Sequence, residues 1–423
     1  MELRDMTRQE LEAFAAAQQK EYDRIDALGL EINMARGKPC PKQLDASEAL
    51  FKDVYSVASY IDDDGLDTRN YGGLYGIEAA RAFFGELLDM PSKNVIVGGS
   101  ASLQLMYDFL AQCCLSGIGG CVPWSQQPGA KFLCVVPGYD RHFAITEYLG
   151  LEMVNVPILE DGPDMDLVEE LVKDARVKGM FCVPKYSNPD GITYSDAVVQ
   201  RLARLEPAAK DFRVIWDNAY LVHDLYDEGD KLLNIFTEAA KYGHEDYFVE
   251  FASTSKITFA GAGISCVCAS DANIAAIGKR MYYQIISFDK MNQLRHVRAI
   301  PDMAALKAHM RRHADILRPK FDAVLEVLES ELSGLGIARW HKPMGGYFIG
   351  LKVDVGSAKY AGVLCKDAGL TLTNVGAAFP YGFDPEDCEI RIAPSYPSED
   401  DLRLATHLLC TAVKLAAARE LLK

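Results

Sequence analysis

Lys256 stands inside FASTSKITFAGAGIS, residues 251–265, with three hydroxyl residues before it and a glycine-rich run after it. The stretch leading in, YFVEFA at 247–252, is aromatic and β-branched, the composition of a strand entering a core. An amine carried at the end of such a strand loses water, which lowers its pKa and frees it to form a Schiff base with a carbonyl. An exposed lysine on a polar loop is the competing reading. What lies at the ends of the other strands decides between them.

Asp217 closes VIWD, and a carboxylate buried there requires a cationic partner such as a protonated ring nitrogen. Tyr220 follows three residues later and can turn its phenol to the same ring; a helix N-cap is the other use of an aspartate here. Asn188-Pro189 follows GMFCVPKYS, where the amide can donate to a ring oxygen and where Asn-Pro also opens ordinary turns. Tyr139 closes VVPGY and either stacks on a planar ligand or packs half-buried. In VGGSASLQLMYD, Gly99, Ser100, Ala101 and Ser102 lie between a strand and a helix. Hydroxyls, free N–H groups and the positive helix end would meet an anion there, although Ser100 or Ser102 would also serve as a cap. Ser253 precedes Lys256 by three. Arg391, within EIRIAPS, is costly inside a strand unless it binds a carboxylate, or else it faces water from an edge strand. His309 and His313 share a helix face without a carboxylate beside them, which argues against a metal site.

These residues need a scaffold that brings strand ends together. NVIVGG, KFLCVVPG, EMVNVPI, GMFCVP, FRVIWDN and YFVEFAS read as strands, and SLQLMYDFLAQCCL, MDLVEELVKDA and SDAVVQRLARL as helices between them. Such alternation implies an α/β fold: a mostly parallel sheet covered on both faces, with ligands beyond the carboxyl ends of its strands. After about residue 300 a long helix leads into GGYFIGLKV, LTLTNVG and EIRIAPS, then a closing helix, which reads as a smaller α+β unit. An N-terminal helix over Arg8–Gln18 is expected to pack on that unit. The expected division is residues 1–48 with the small domain, 49–310 as the large domain and 311–423 as the C-terminal small domain.

Composition narrows the class. The chain has 423 residues, 49% of them apolar, a globular composition long enough for more than one core. A net charge of −16 disfavours non-specific nucleic-acid binding. The charged N-terminal stretch lacks the apolar run of a signal peptide, and no run is long enough to span a membrane. Eleven scattered cysteines without a CxxC pair fit reduced thiols, so a cytoplasmic protein is expected.

In their joint order these motifs resemble the fold-type I pyridoxal phosphate enzymes of aminotransferase classes I and II. The likeness is to the aspartate aminotransferase branch that carries RGKP near the start and TSK-TFAGAG around the lysine, often called subgroup Ic or MocR-like. It runs from Arg36-Gly37-Lys38-Pro39 to Arg391. The resemblance implies a large domain with a seven-stranded sheet, pyridoxal 5'-phosphate as cofactor, and transamination between an amino acid, aspartate or glutamate, and a 2-oxo acid such as 2-oxoglutarate. It implies that Lys256 forms the Schiff base and shuttles the proton, that Asp217 keeps the ring nitrogen protonated, and that Asn188 and Tyr220 bind the ring oxygen. Tyr139 would stack on the ring, Ser100, Ala101, Ser102 and Ser253 would hold the phosphate, and Arg391 would grip the substrate α-carboxylate with Gly37 at the mouth. Tyr71, in NYGGLYG, would reach the phosphate of a second subunit, which implies a homodimer with shared sites. One position departs from the pattern: many aminotransferases carry an arginine where Ile264 stands here. A β-lyase, decarboxylase or racemase on the same scaffold is the alternative within this chemistry. A ligand-sensing regulator would need a DNA-binding domain ahead of RGKP, and the N-terminal residues do not read as one.

Overall fold

The computed structural model describes residues 2–52 and 60–423. Its main feature is an eight-stranded sheet in the order Val95–Gly98, Ser265–Ala269, Phe248–Ser253, Arg213–Asp217, Val177–Cys182, Lys131–Val136, Glu152–Leu159, Gly162–Pro163. The sheet is mixed. Ser265–Ala269 runs antiparallel to both of its neighbours, and Gly162–Pro163 is antiparallel to Glu152–Leu159, while the other pairings are parallel. Ser265–Ala269 returns directly from the strand before it through the glycine-rich loop, with no crossover helix, so it can only pair antiparallel. Its SCVCA run has no aromatic residue and only Val267 as a branched one, and the pattern of the sequence does not reveal it. The eighth strand, one more than the seven expected, arises where the chain reverses after Leu159 and Gly162 adopts φ 138°, a backbone region that side chains avoid.

Because Val95–Gly98 is antiparallel to a strand that is itself antiparallel to Phe248–Ser253, it points the same way as the parallel strands. Gly98, Val136, Cys182, Asp217 and Ser253 therefore all end on one edge. The parallel strands are buried along both faces, as helices on each side require; in Arg213–Asp217 every residue is buried. One apolar cluster joins Val97, Leu133, Met180 and Trp216 on one face, and a second joins Ile96, Phe132, Phe181 and Ile215 on the other.

A separate apolar cluster surrounds a three-stranded antiparallel sheet of Ala338–Trp340, Ile349–Val353 and Glu389–Ile392. The N-terminal helix packs there through Leu11, Tyr22 and Ile25 and extends over Arg8–Asp26, beyond the Gln18 expected, because its buried residues continue past the polar QQK. Thr7 and Glu10 start it with a reciprocal capping box. The 30-residue helix Met303–Leu332 bridges the two regions: Leu306 and Met310 lie in the first cluster, Leu317 through Leu332 in the third. Among the described residues no helix is long and apolar enough to cross a membrane, and no group of three or more His, Cys, Asp or Glu is placed to hold a metal. His309 and His313 are instead tied to the Ile257 carbonyl and the Gln43 amide.

Candidate active site

Residues beyond the carboxyl edge meet others from the three-stranded region around a cavity of about 550 Å³. Lys256, Asp217, Tyr220 and Tyr139 line it, with Ser102, Asn188, Gly37 and Arg391.

The turn that carries Lys256 is fixed by Thr254, which is fully buried. The Thr254 N–H donates to Ile264 O at 2.8 Å, and the Ile264 N–H donates back to Thr254 Oγ1 at 2.9 Å, closing the glycine-rich loop on itself. Tyr347 Oη donates to Lys256 O at 3.4 Å and accepts from Gln43 Nε2 at 2.9 Å. Lys256 Nζ then lies 5.0 Å from the centre of the Tyr220 ring. Desolvation holds the amine below the ordinary lysine range, and the charge of Asp217 opposes that shift.

Asp217 is the last residue of its strand and is buried. Its Oδ2 lies 3.0 Å from His142 Nε2, and its Oδ1 is buried with no hydrogen-bond partner among the described residues. A carboxylate oxygen left bare in a buried site is costly unless a donor arrives. The N–H of a protonated heteroaromatic ring is such a donor. His142 was not singled out from the sequence. It follows Tyr139 by three on the helix Asp140–Tyr148, with its ring stacked on Phe181 at 4.1 Å and its edge toward Tyr139 at 5.0 Å. The signal was present in GYDRH, but only the helix that turns the ring under Asp217 gives it meaning. Burial and the nearby Asp217 and Asp140 charges push the Tyr139 phenol up to about 12, so it remains a neutral donor; the fully buried Tyr220 is pushed up as well.

The helix Ser102–Ser116 begins at the cavity, with Ala101 at its N-cap position and no side-chain cap. Its first N–H groups are thus left for another acceptor, and an anion suits the positive helix end. Hydroxyl bonds tie this loop to the lysine turn. Ser255 Oγ donates to Ser100 O at 2.5 Å, Ser100 Oγ to Ala260 O at 3.2 Å and Ser265 Oγ to Gly99 O at 2.7 Å. Ser102 lines the cavity, whereas Ser100, Ala101 and Ser253, also expected at the phosphate, are not among its lining residues. Tyr71 lies away from the cavity and is 79% exposed.

Ile264 is 1% exposed and belongs to the apolar cluster of the large sheet. An arginine there would carry a charge into the core instead of toward the helix end. Ile264→Arg is expected to lower stability by about 3–5 kcal/mol, the cost of an uncompensated buried charge. Denaturant unfolding of the cofactor-free protein measures it.

Arg391 is 8% exposed and forms the opposite wall. Its Nη1 donates to Asn188 Oδ1 at 3.2 Å and Asp140 Oδ1 at 3.3 Å, and Nε and Nη2 donate to Thr373 Oγ1 at 3.2 and 3.0 Å. The guanidinium packs 5.0 Å from the Phe348 ring, and Gly37 leaves space for that ring, since a Cβ there would come within 2.6 Å of it. Arg36, Lys38 and Arg141 line the same cavity, and Arg141 makes no hydrogen bond or ion pair among the described residues. Lys290, Arg295 and Arg298 do not line it; Lys290 Nζ donates to Asn70 O at 2.8 Å.

Residues 6–423 match the family model described as aspartate amino-transferase. An aspartate aminotransferase of Corynebacterium glutamicum is 43% identical over 417 residues, covering 98% of this chain and 96% of that one. A crystal structure of an aspartate transaminase from Corynebacterium glutamicum superposes with a TM-score of 0.96 at 42% identity, covering 100% of this chain and 99% of the other. An alpha-aminoadipate aminotransferase from Thermus thermophilus, solved in complex with N-(5'-phosphopyridoxyl)-L-leucine, shares the fold with a TM-score of 0.74 at 19% identity, covering 93% of this chain and 94% of that one.

Proposed function

The chain belongs to the aspartate aminotransferase family and is an aminotransferase; from that premise we propose that it transfers the amino group of aspartate or glutamate to a 2-oxo acid such as 2-oxoglutarate, using pyridoxal 5'-phosphate bound through Lys256. The observation that carries this reading is the bare Oδ1 of Asp217 on the cavity that also receives the Lys256 amine. Pyridoxal 5'-phosphate, when bound, supplies an electron sink for the bonds at the substrate Cα. It would be held by Lys256 through its aldehyde carbon, by Asp217 at the ring nitrogen and by the Ser102 helix end and its neighbouring hydroxyls at the phosphate, with Tyr139 against the ring.

The chain's own residues do the rest. Asp217, kept in place by His142, holds a proton on the ring nitrogen. Tyr220 and Asn188 donate to the ring oxygen. Arg391 grips the α-carboxylate, exchanging its contact to Asp140 for the substrate. Lys256 Nζ would serve as the base that takes the proton from the substrate Cα, and desolvation, which lowers its pKa below the ordinary lysine range, favours that role. Arg36, Lys38 and Arg141 are the cations available for the second carboxylate of a dicarboxylic substrate. We place the enzyme in the cytoplasm as a homodimer in which Tyr71 reaches the partner's phosphate, a role that suits its exposure here. The large and small domains divide at residues 48 and 310.

The test is a substrate panel: amino transfer from aspartate or glutamate that depends on an added 2-oxo acid supports this reading. Release of pyruvate or CO2 without an oxo acid would place the enzyme among the lyases or decarboxylases. Arg391→Lys keeps the charge but loses the planar fork. It is expected to raise KM for the amino acid about 10–100-fold, with a smaller fall in kcat, matching about 1.5–3 kcal/mol for a charged hydrogen bond. Steady-state kinetics decides it.

A further inference from the structure

A second cleft of about 820 Å³ lies where the strand ends of the large sheet meet the three-stranded sheet. Asp190 and Glu389 both line it. Their places in the chain are informative. Asp190 follows Asn188 by two residues in the loop after the Val177–Cys182 strand. Glu389 precedes Arg391 by two on one strand, so both side chains stand on the same face of that strand. Each acid is therefore attached to one half of the Asn188–Arg391 contact.

Gly350 brings the two acids together. It pairs with Arg391 across the small sheet, and a Cβ on it would collide with Asp190 Oδ1 and come within 3.1 Å of Glu389 Oε1. The absence of a side chain at this position lets both carboxyl groups lie against the same backbone. Glu389 is 4% exposed, and its Oε1 is buried with no hydrogen-bond partner among the described residues. Two carboxylates in such a site repel each other and cannot both ionise without cost.

The surrounding charges do not cancel the acids. Lys352, opposite Glu389 in the sheet, lies 3.3 Å from Glu386. Asp384 is satisfied by the N–H groups of Glu386, Cys388 and Glu389. Arg339 pairs with Asp354 at 3.2 Å, Glu160 and His341 line the far wall, and Arg391 is engaged with Asn188 and Asp140. Burial pushes the Asp190 carboxyl up to about 7, against the pull of Lys352. Burial, then the charges of Asp190 and Asp384, push Glu389 well above the carboxylate range, while Lys352 and Arg391 draw it down.

We propose that Asp190 and Glu389 form a positioning pair that stays together only while one of the two carries a proton, and so sets how closely Asn188 and Arg391 converge on the substrate α-carboxylate. The inference rests on the reading of Arg391 as the α-carboxylate grip. Below neutral pH the pair is held and the grip is tight. Asp190 gives up its proton as pH rises through about 7, and Glu389, held higher by burial and by the Asp190 charge, follows at more alkaline pH; once both are ionised the like charges separate the two segments, and carboxylate affinity falls while the chemistry at Lys256 is spared.

Succinate, a dicarboxylate with no amine to titrate, is the probe, and its dissociation constant for the holoenzyme is measured by calorimetry from pH 6 to 9. In the wild type affinity should fall about tenfold over that range, equivalent to about 1.4 kcal/mol. Asp190→Asn and Glu389→Gln, which cannot ionise, should each flatten the profile with kcat changed by less than about twofold. Asp190→Glu, which still titrates, should restore the slope. A flat wild-type profile, or a slope that persists in both amide variants, overturns the proposal. Arg391→Lys is the control: if it leaves succinate affinity intact, the reading of the grip itself fails. If it weakens succinate while the amide variants keep the wild-type slope, the positioning pair alone fails.

Discussion

Lys256→Ala is expected to abolish amino transfer, lowering kcat by about 10⁴-fold or more, because the proposed mechanism uses one side chain both as covalent anchor and as proton carrier. No other lysine lines the cavity except Lys38, whose Nζ sits 3.9 Å over the Tyr396 ring, so no second amine is placed to take over. The fold should not suffer. The lysine turn is held by Thr254, Ser255 and the Ile264 backbone, none of which uses the Lys256 side chain. Desolvation penalises the ammonium in the native state, so its removal leaves the melting temperature unchanged or raises it. Inactivity with undiminished stability, measured by turnover and calorimetry on one preparation, separates loss of chemistry from loss of structure.

Asp217→Ala is expected to have the next largest effect, a fall of about 10²–10⁴-fold in kcat with smaller change in KM, since it acts on the developing charge and not on substrate binding. Asp217 Oδ2 already meets His142, and only Oδ1 is bare, so the aspartate presents a single acceptor aimed into the site. Asparagine is nearly isosteric and can still meet His142. Asp217→Asn should therefore keep the shape but lose nearly as much rate, because a neutral amide does not hold a proton on a ring nitrogen. If the asparagine variant kept wild-type kcat, ring protonation by this residue would be excluded. His142→Ala should be milder than either, because it removes the brace and leaves the charge.

Lys256, Asp217, Asn188 and Tyr139 could be read from the sequence because each ends or closely follows an apolar run, and in a parallel sheet those positions converge on one edge; Arg391 stood out as a charge interrupting an apolar run, on a strand of the small antiparallel sheet. The strands that carry them are β-branched and aromatic and declare themselves. What escaped was set by three-dimensional packing. His142 acquires a role only because Phe181 stacks beneath it and turns it toward Asp217. The Ser265–Ala269 strand hides in a run of serine, cysteine and alanine with a single valine, and its position between Val95–Gly98 and Phe248–Ser253 depends on long-range pairing. Phe348 and Thr373, which shape and hold Arg391, come from segments distant in the chain, and no local spacing connects them to it. Ile264 was read as a departure from a pattern; its place in the apolar core explains why that departure costs nothing in packing.

The position at which the family pattern carries an arginine is the buried Ile264 here, so the helix end at Ser102 has no arginine from that position beside it. An uncapped helix N-terminus can meet a phosphate without a full opposing charge, while Ser255 and Ser100 donate to backbone carbonyls and brace the loop that carries it.

Reduction of the purified holoenzyme with borohydride, followed by peptide mapping, tests the central claim most directly, because it fixes the bond between the cofactor's aldehyde carbon and whichever amine holds it. A single phosphopyridoxyl group on Lys256 is the predicted result. A label on another lysine, or an active enzyme that acquires none, would contradict it.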